Sequence, residues 1–143
     1  VTHNHPEGMR GAAATAVAIH LARSKVSASD IRQTISQQFG YDLARTVDQI
    51  RPDYRYNERS QDTVPQALIC AIEATDFEDA IRNAISIGGD SDTIAAIAGS
   101  VAEALFGIGD QIATQAWTYL PQEMRAVLHA LYESVDCTKD CRQ

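Results

Sequence analysis

The sequence has no block of basic residues. Its 12 Lys and Arg are scattered among 19 Asp and Glu, giving a net charge of −7. That argues against a nucleic acid as the main partner, because polyanion binding draws on clustered cations. Long apolar runs are missing too. The longest fall far short of the ~20 residues that cross a bilayer, so no membrane association is expected. No signal peptide stands at the start, where Val1-Thr2-His3-Asn4 is polar with no apolar core behind it. Cysteine is sparse, three in all, an odd number in a chain without a secretory signal. A reducing, cytoplasmic setting fits that usage. Cys70 lies in an apolar helical stretch and reads as a buried thiol. Cys137 and Cys141 are four apart in a polar tail with no further Cys or His to complete a metal site. No segment alternates with period two for long, and there is no internal repeat or low-complexity stretch.

What is present is the composition of a soluble globular protein, 45% hydrophobic and 22% charged over 143 residues. That length fits one domain or part of a larger one. Hydrophobic spacing near 3.6 dominates and predicts an all-α, compact multi-helix globule. A first helix is expected from about Met9 to Ala22, with Ala13, Val17 and Leu21 one turn apart and Ala16 and His20 beside them. A second runs from about Asp30 to Phe39, between a Ser29 N-cap and a Gly40 stop. A short helical piece covers Leu43 to Ile50. Arg51 to Asp62 is polar and tyrosine-rich, a loop long enough to be functional. A third main helix starts after Thr63 with Pro65 in its first turn. Thr75 and Glu78 have capping-box spacing before a fourth, which turns Phe77, Ala80, Ile81, Ala84 and Ile85 inward. A fifth begins at Asp92 or Thr93. Its apolar stripe runs Ile94, Ile97, Ala98, Val101, Leu105, and Ala95, Gly99 and Ala102 form a small-residue stripe that suits close coverage. Two more cover about Gln111 to Tyr119 and Gln122 to Val135.

The most informative stretch is Ile87-Gly88-Gly89-Asp90-Ser91-Asp92-Thr93-Ile94. Two glycines lead into two carboxylates one residue apart, a hydroxyl follows, and then an apolar helical run. Dense hard oxygen donors at a loop-to-helix junction suit Mg²⁺ or a similar cation. A helix start alone accounts for one Asp as N-cap and for the second through the helix dipole. It does not account for the adjacent glycines, which are expected where φ is positive or a ligand approaches the backbone. An EF-hand is excluded, since Ala95 and Val101 stand where its Gly and Glu belong. Metal or phosphate binding and simple capping both remain open on the residues alone.

His3 and His5 lie two apart in a loop, without a third strong zinc partner in sequence. Polar contact with a ligand is the better use for them. His20 and His129 read as partly buried helical residues. No Ser-His-Asp or Cys-His arrangement is visible.

Thr2-His3-Asn4-His5-Pro6-Glu7-Gly8, followed by an Ala-rich helix, resembles the middle of the ADP-ribosylglycohydrolase family. Thr63-Val64-Pro65-Gln66-Ala67-Leu68, Phe77-Glu78-Asp79-Ala80-Ile81 and Gly88-Gly89-Asp90-Ser91-Asp92-Thr93-Ile94-Ala95 resemble its C-terminal half, in the same order. The resemblance covers nearly the whole chain. It implies an all-α globule with a two-magnesium centre that hydrolyses the bond from ADP-ribose C1″ to a protein side chain or a related leaving group. It implies that Asp90, Asp92 and Thr93 are metal ligands. It implies that His3 faces the bound ADP-ribose, with His5 and Gly8 in the same substrate loop. Gly88, Gly89 and Ser91 complete the expected substrate-binding set. The implied partner is an ADP-ribosylated protein or an ADP-ribose-containing small molecule, and the linkage to Arg, Ser or a small molecule is left open.

Family members carry a first metal cluster, a hydroxyl residue followed by two aspartates, in their N-terminal half. No Ser-Asp-Asp or Thr-Asp-Asp occurs here; Thr75-Asp76 is followed by Phe77. Residues 1–143 are therefore expected to form the C-terminal portion of a single domain lacking its N-terminal part, with no catalytic acid or base assigned. Three readings follow: an enzyme portion supplying one half of the binuclear site, a non-catalytic truncated product, and a crystallin-like structural member. An exposed apolar surface on the first and fifth helices is expected, suited to self-association or to the missing N-terminal half.

Overall fold

The computed structural model describes the backbone of residues 4–140 and the side chains of residues 4–134. Within them the chain forms eight helices: α1 (Pro6–Arg23), α2 (Ala28–Phe39), α3 (Val47–Ile50), α4 (Ser60–Glu73), α5 (Phe77–Ser86), α6 (Ser91–Phe106), α7 (Asp110–Tyr119) and α8 (Gln122–Asp140). No strand occurs among the described residues. The chain divides into two compact units, Val1–Gly107 and Ile108–Gln143.

In the first unit α6 packs against α1, α4 and α5. The small stripe of α6 has its reason at Gly99, where a Cβ would sit 3.0 Å from Ile81 Cδ1 on α5. Ile94, Ala98, Val101 and Ala102 are buried, while Asp92, Thr93, Ala96 and Glu103 face out. The other central helix is α4. Every residue from Thr63 to Ile72 except Gln66 is buried, as expected of a helix apolar all round. It begins at Ser60, four residues before the expected start. Pro65 consequently sits in the second turn, where its missing N–H leaves the Gln61 carbonyl without a helical donor.

Side-chain caps fix the starts of α1, α2, α3 and α5, in two cases displaced from the expected residue. Ser27, not Ser29, caps α2, its Oγ accepting the Asp30 N–H at 3.2 Å, and Gly40 closes the helix at φ 68°. Asp76, not Thr75, caps α5 by accepting the Asp79 N–H at 2.8 Å. Thr75 instead donates its N–H and hydroxyl to the Asp79 carboxylate at 2.9 and 3.2 Å. The piece expected from Leu43 narrows to Val47–Ile50, opened by a Thr46–Gln49 capping box.

The buried line of α1 is Gly11, Ala14, Ala18 and Ala22, with Val17 and Leu21 half-buried. Small residues let α1 approach closely, and a Cβ on Gly11 would meet Val64 Cγ2 at 2.9 Å. His20 falls on the opposite side and is exposed rather than partly buried. Ile85 is also exposed, because α5 buries Ala80 and Ala84 and half-buries Phe77 and Ile81 instead. The large apolar side chains exposed on these two helices are Met9 on α1 and Phe106 at the end of α6, with Ala12, Ala13 and Ala16 of α1 and Ala96 of α6 exposed beside them.

In the second unit α7 and α8 meet through Trp117 and His129, edge to face at 5.1 Å. His129 is exposed at that contact rather than partly buried. Arg125 ties the turn, donating to the carbonyls of Leu120 (2.8 Å) and Thr118 (2.9 Å). Cys70 is a free, buried thiol, as expected; the side chains of Cys137 and Cys141 lie outside the described residues.

Candidate functional site

The α5–α6 connection is built by its glycines. Gly88 and Gly89 both lie in the left-handed region, at φ 75° and 69°. They differ in why they must be glycine. A Cβ on Gly88 would meet nothing within 4 Å, so its backbone angle alone selects it. A Cβ on Gly89 would lie 2.5 Å from Tyr54 Cε1, so close approach selects it as well. Two left-handed residues turn the chain sharply out of α5 and deliver Asp90, Ser91, Asp92 and Thr93 at the start of α6.

Asp90 occupies the N-cap position of α6, and its carbonyl accepts the Ile94 N–H at 3.0 Å. Its side chain makes no capping bond. The expected N-cap, Asp92, lies inside the first turn instead. Hydrogen bonding with the Asp90 carboxyl, then with the N–H groups of Thr93 and of Asp92 itself, holds the Asp92 carboxyl below its ordinary range. The Thr93 N–H reaches Asp92 Oδ1 at 3.0 Å. Two carboxyls thus meet at the positive end of a helix, with the exposed Thr93 beside them. Asp90, Asp92 and Thr93 could hold a hard cation, since all three offer oxygen. Among the described residues no group of three His, Cys, Asp or Glu gathers around a point.

Two site residues escape a motif search. Tyr54 packs its ring on Gly89. Tyr56 stands exposed, and its phenol is pushed up by a 2.8 Å hydrogen bond to Glu58 and by the charge of Glu58, with Asp90 and Asp92 adding to the effect. Both come from the long loop between α3 and α4. Its length and tyrosine content were the available signal, but no spacing rule points from it to Gly89.

His5 is the N-cap of α1, its Nδ1 accepting the Glu7 N–H at 3.2 Å. His3 lies outside the described residues. Gly8, in the first turn of α1, lines a groove of about 520 Å³ with Gly11, Thr15, Ser60, Val64 and Ile97. Ile97 is one turn beyond Thr93 on the same face of α6. Further along, Ile19 and Arg23 of α1, with Lys25 just past its end, face Ser100, Glu103 and Ala104 of α6 across a second pocket. The two helices therefore run in the same sense. Their starts, carrying His5 and Gly8 on one and Asp90 to Thr93 on the other, lie toward the same end of the unit.

An all-helical chain with a Gly-Gly-Asp-Ser-Asp-Thr turn at the head of a central helix defines a narrow class. The chain belongs to the ADP-ribosylglycohydrolase family, which matches residues 1–140. It is similar to the ADP-ribosylarginine hydrolase Tri1 of Pseudomonas putida (strain GB-1), at 28% identity over 156 aligned positions. That match takes in 95% of this chain and 39% of the relative's length. No solved structure matches the chain.

Proposed function

We propose that the chain is the C-terminal portion of a Mg²⁺-dependent ADP-ribosyl hydrolase domain and carries one half of a two-magnesium site. Asp90, Asp92 and Thr93 are its ligands. The substrate is an ADP-ribosylated protein or an ADP-ribose-containing small molecule, and the reaction hydrolyses the bond at ribose C1″. Family membership supports the reaction class. The similarity to a hydrolase named for ADP-ribosylarginine makes an arginine linkage the first to test.

One observation carries the metal reading. Asp90 stands at an N-cap, yet its carboxyl makes no bond to the helix amides and is left free to take a cation. Asp92 stands exposed two residues on, so two carboxylates share the head of the helix. When bound, magnesium would supply Lewis-acid polarisation and a template for ribose oxygens. Asp90 and Asp92 bring the anionic oxygens to an open rim. Gly88, where a Cβ would meet nothing within 4 Å, keeps that rim open, so a sugar can approach the backbone. His5 accepts the Glu7 N–H on Nδ1, which in the neutral ring leaves the proton on Nε2 as a donor to substrate oxygen. Three oxygen donors leave about half of an octahedral shell to water or to ligands from elsewhere, so metal binding by this chain is weak.

Release of ADP-ribose from an arginine-modified protein tests the proposal. The 143-residue chain with Mg²⁺ should release little or none. A longer form that supplies a hydroxyl-Asp-Asp cluster should turn over, and Asp92→Ala in it should abolish turnover. Full activity of that Asp92→Ala form would refute the assignment.

A further inference from the structure

The acidic turn is poorly held by its own chain. Two consecutive glycines at positive φ give it little stiffness. Asp90 adds no capping bond. Something else must fix the turn, and the segment after α3 touches it twice. Arg51 donates its Nε–H to Ser86 Oγ at 3.1 Å, on the last residue of α5 before the turn. Tyr54 lays its ring edge where a Gly89 Cβ would be, 2.5 Å from Cε1 and 3.0 Å from Cδ1. The segment itself is anchored. The Tyr54 N–H donates to the Ile50 carbonyl at 3.0 Å, and the Arg55 guanidinium donates to the carbonyls of Pro52 (2.9 Å) and Tyr54 (2.8 Å). The Tyr54 hydroxyl is buried and has no hydrogen-bond partner among the described residues. The ring, not the hydroxyl, is therefore the working part of the side chain.

We propose that Tyr54 is a positioning residue. With Arg51 it clamps the Gly88–Gly89 turn from outside and so sets the separation of Asp90 from Asp92. The clamp is a property of this chain with or without metal. Its consequence for cation binding rests on the metal reading above. A ring placed against Gly89 acts on the ligands as supporting residues around a metal do, and loss of such support typically costs about 10- to 100-fold in affinity.

Two NMR measurements on the 143-residue chain test it, using Tyr54→Phe, Tyr54→Ala, Arg51→Ala and Gly89→Ala. The first is amide hydrogen exchange without metal. Tyr54→Ala should speed exchange at residues 89–94 while the amides of α4 keep their protection. Arg51→Ala should act in the same direction, and Tyr54→Phe should match wild type because the ring remains. Gly89→Ala and Tyr54→Ala should be non-additive, since removing the ring relieves the clash of the new Cβ. The second is a Mg²⁺ titration followed at the Gly89 and Thr93 amides. Tyr54→Ala should weaken binding by about tenfold or more, and Tyr54→Phe should leave it unchanged. Unchanged exchange at residues 89–94 in Tyr54→Ala would overturn the clamp. Loosening confined to Tyr54→Ala, with Mg²⁺ affinity kept, would overturn its role in setting the ligands. A wild-type chain whose amides ignore Mg²⁺ would refute the metal reading, and the exchange result would still decide the clamp.

Discussion

Asp90→Asn separates a metal ligand from a helix cap. If Asp90 were an ordinary N-cap, losing its cap would cost up to about 1 kcal/mol with or without Mg²⁺. The structure shows no side-chain capping bond to lose. One charge effect remains: removing the negative charge forfeits a helix-dipole interaction of ~0.3–1 kcal/mol, with or without metal. Magnesium changes the comparison by mass action. At about 10 mM Mg²⁺ and a Kd of about 1 mM, the folded state gains RT ln 11, ~1.4 kcal/mol. For a chain of 143 residues, an unfolding entropy of about 2.1 cal/mol/K per residue converts that gain to a Tm rise of ~5 °C. Thermal melts with and without Mg²⁺ should show the rise in wild type and lose it in Asp90→Asn and Asp92→Asn. Asp110→Asn should keep it, since Asp110 comes after α6 and opens α7, outside the Asp90–Thr93 turn. Equal Mg²⁺ responses in all four proteins would refute the reasoning. Because Asn caps about as well as Asp, a metal-free loss of about 1 kcal/mol in Asp90→Ala relative to Asp90→Asn would restore the cap.

Burial, with Glu73 nearby, pushes the Cys70 thiol up to about 12. In the native chain Cys70 should resist a thiol-reactive disulfide at pH 8 and react only in denaturant; because the folded value is the raised one, Cys70 favours folding below its unfolded pKa and loses that contribution as pH climbs toward 12, so Cys70→Ala should flatten the alkaline end of a stability–pH curve. Gly11→Ala should destabilise by ~1–3 kcal/mol in urea melts, because its Cβ would meet Val64 at 2.9 Å between two packed helices. Asp76→Ala should cost ~1 kcal/mol and Thr75→Ala less, since Asp76 alone accepts the Asp79 amide; the reverse order in the same melts would return the cap to Thr75.

The sequence by itself determined the helices and the place of the acidic turn. Spacing near 3.6 is a property of neighbouring residues, and so is the need for glycine where the chain bends through positive φ. Gly40, Gly88 and the order Asp90-Ser91-Asp92-Thr93 were legible for that reason. The buried side of α1 was not. Its alanines ring the helix, so the face holding Ala14, Ala18 and Ala22 was chosen by α4 and α6 rather than by local pattern. The caps of α2 and α5 moved by one or two residues because several adjacent side chains could each accept the same amides. Tertiary structure alone decided that Gly89 must be glycine for space and that Tyr54 lies against the turn. Each of these depends on two segments far apart in sequence, and neither segment carries the other's position in its own residues.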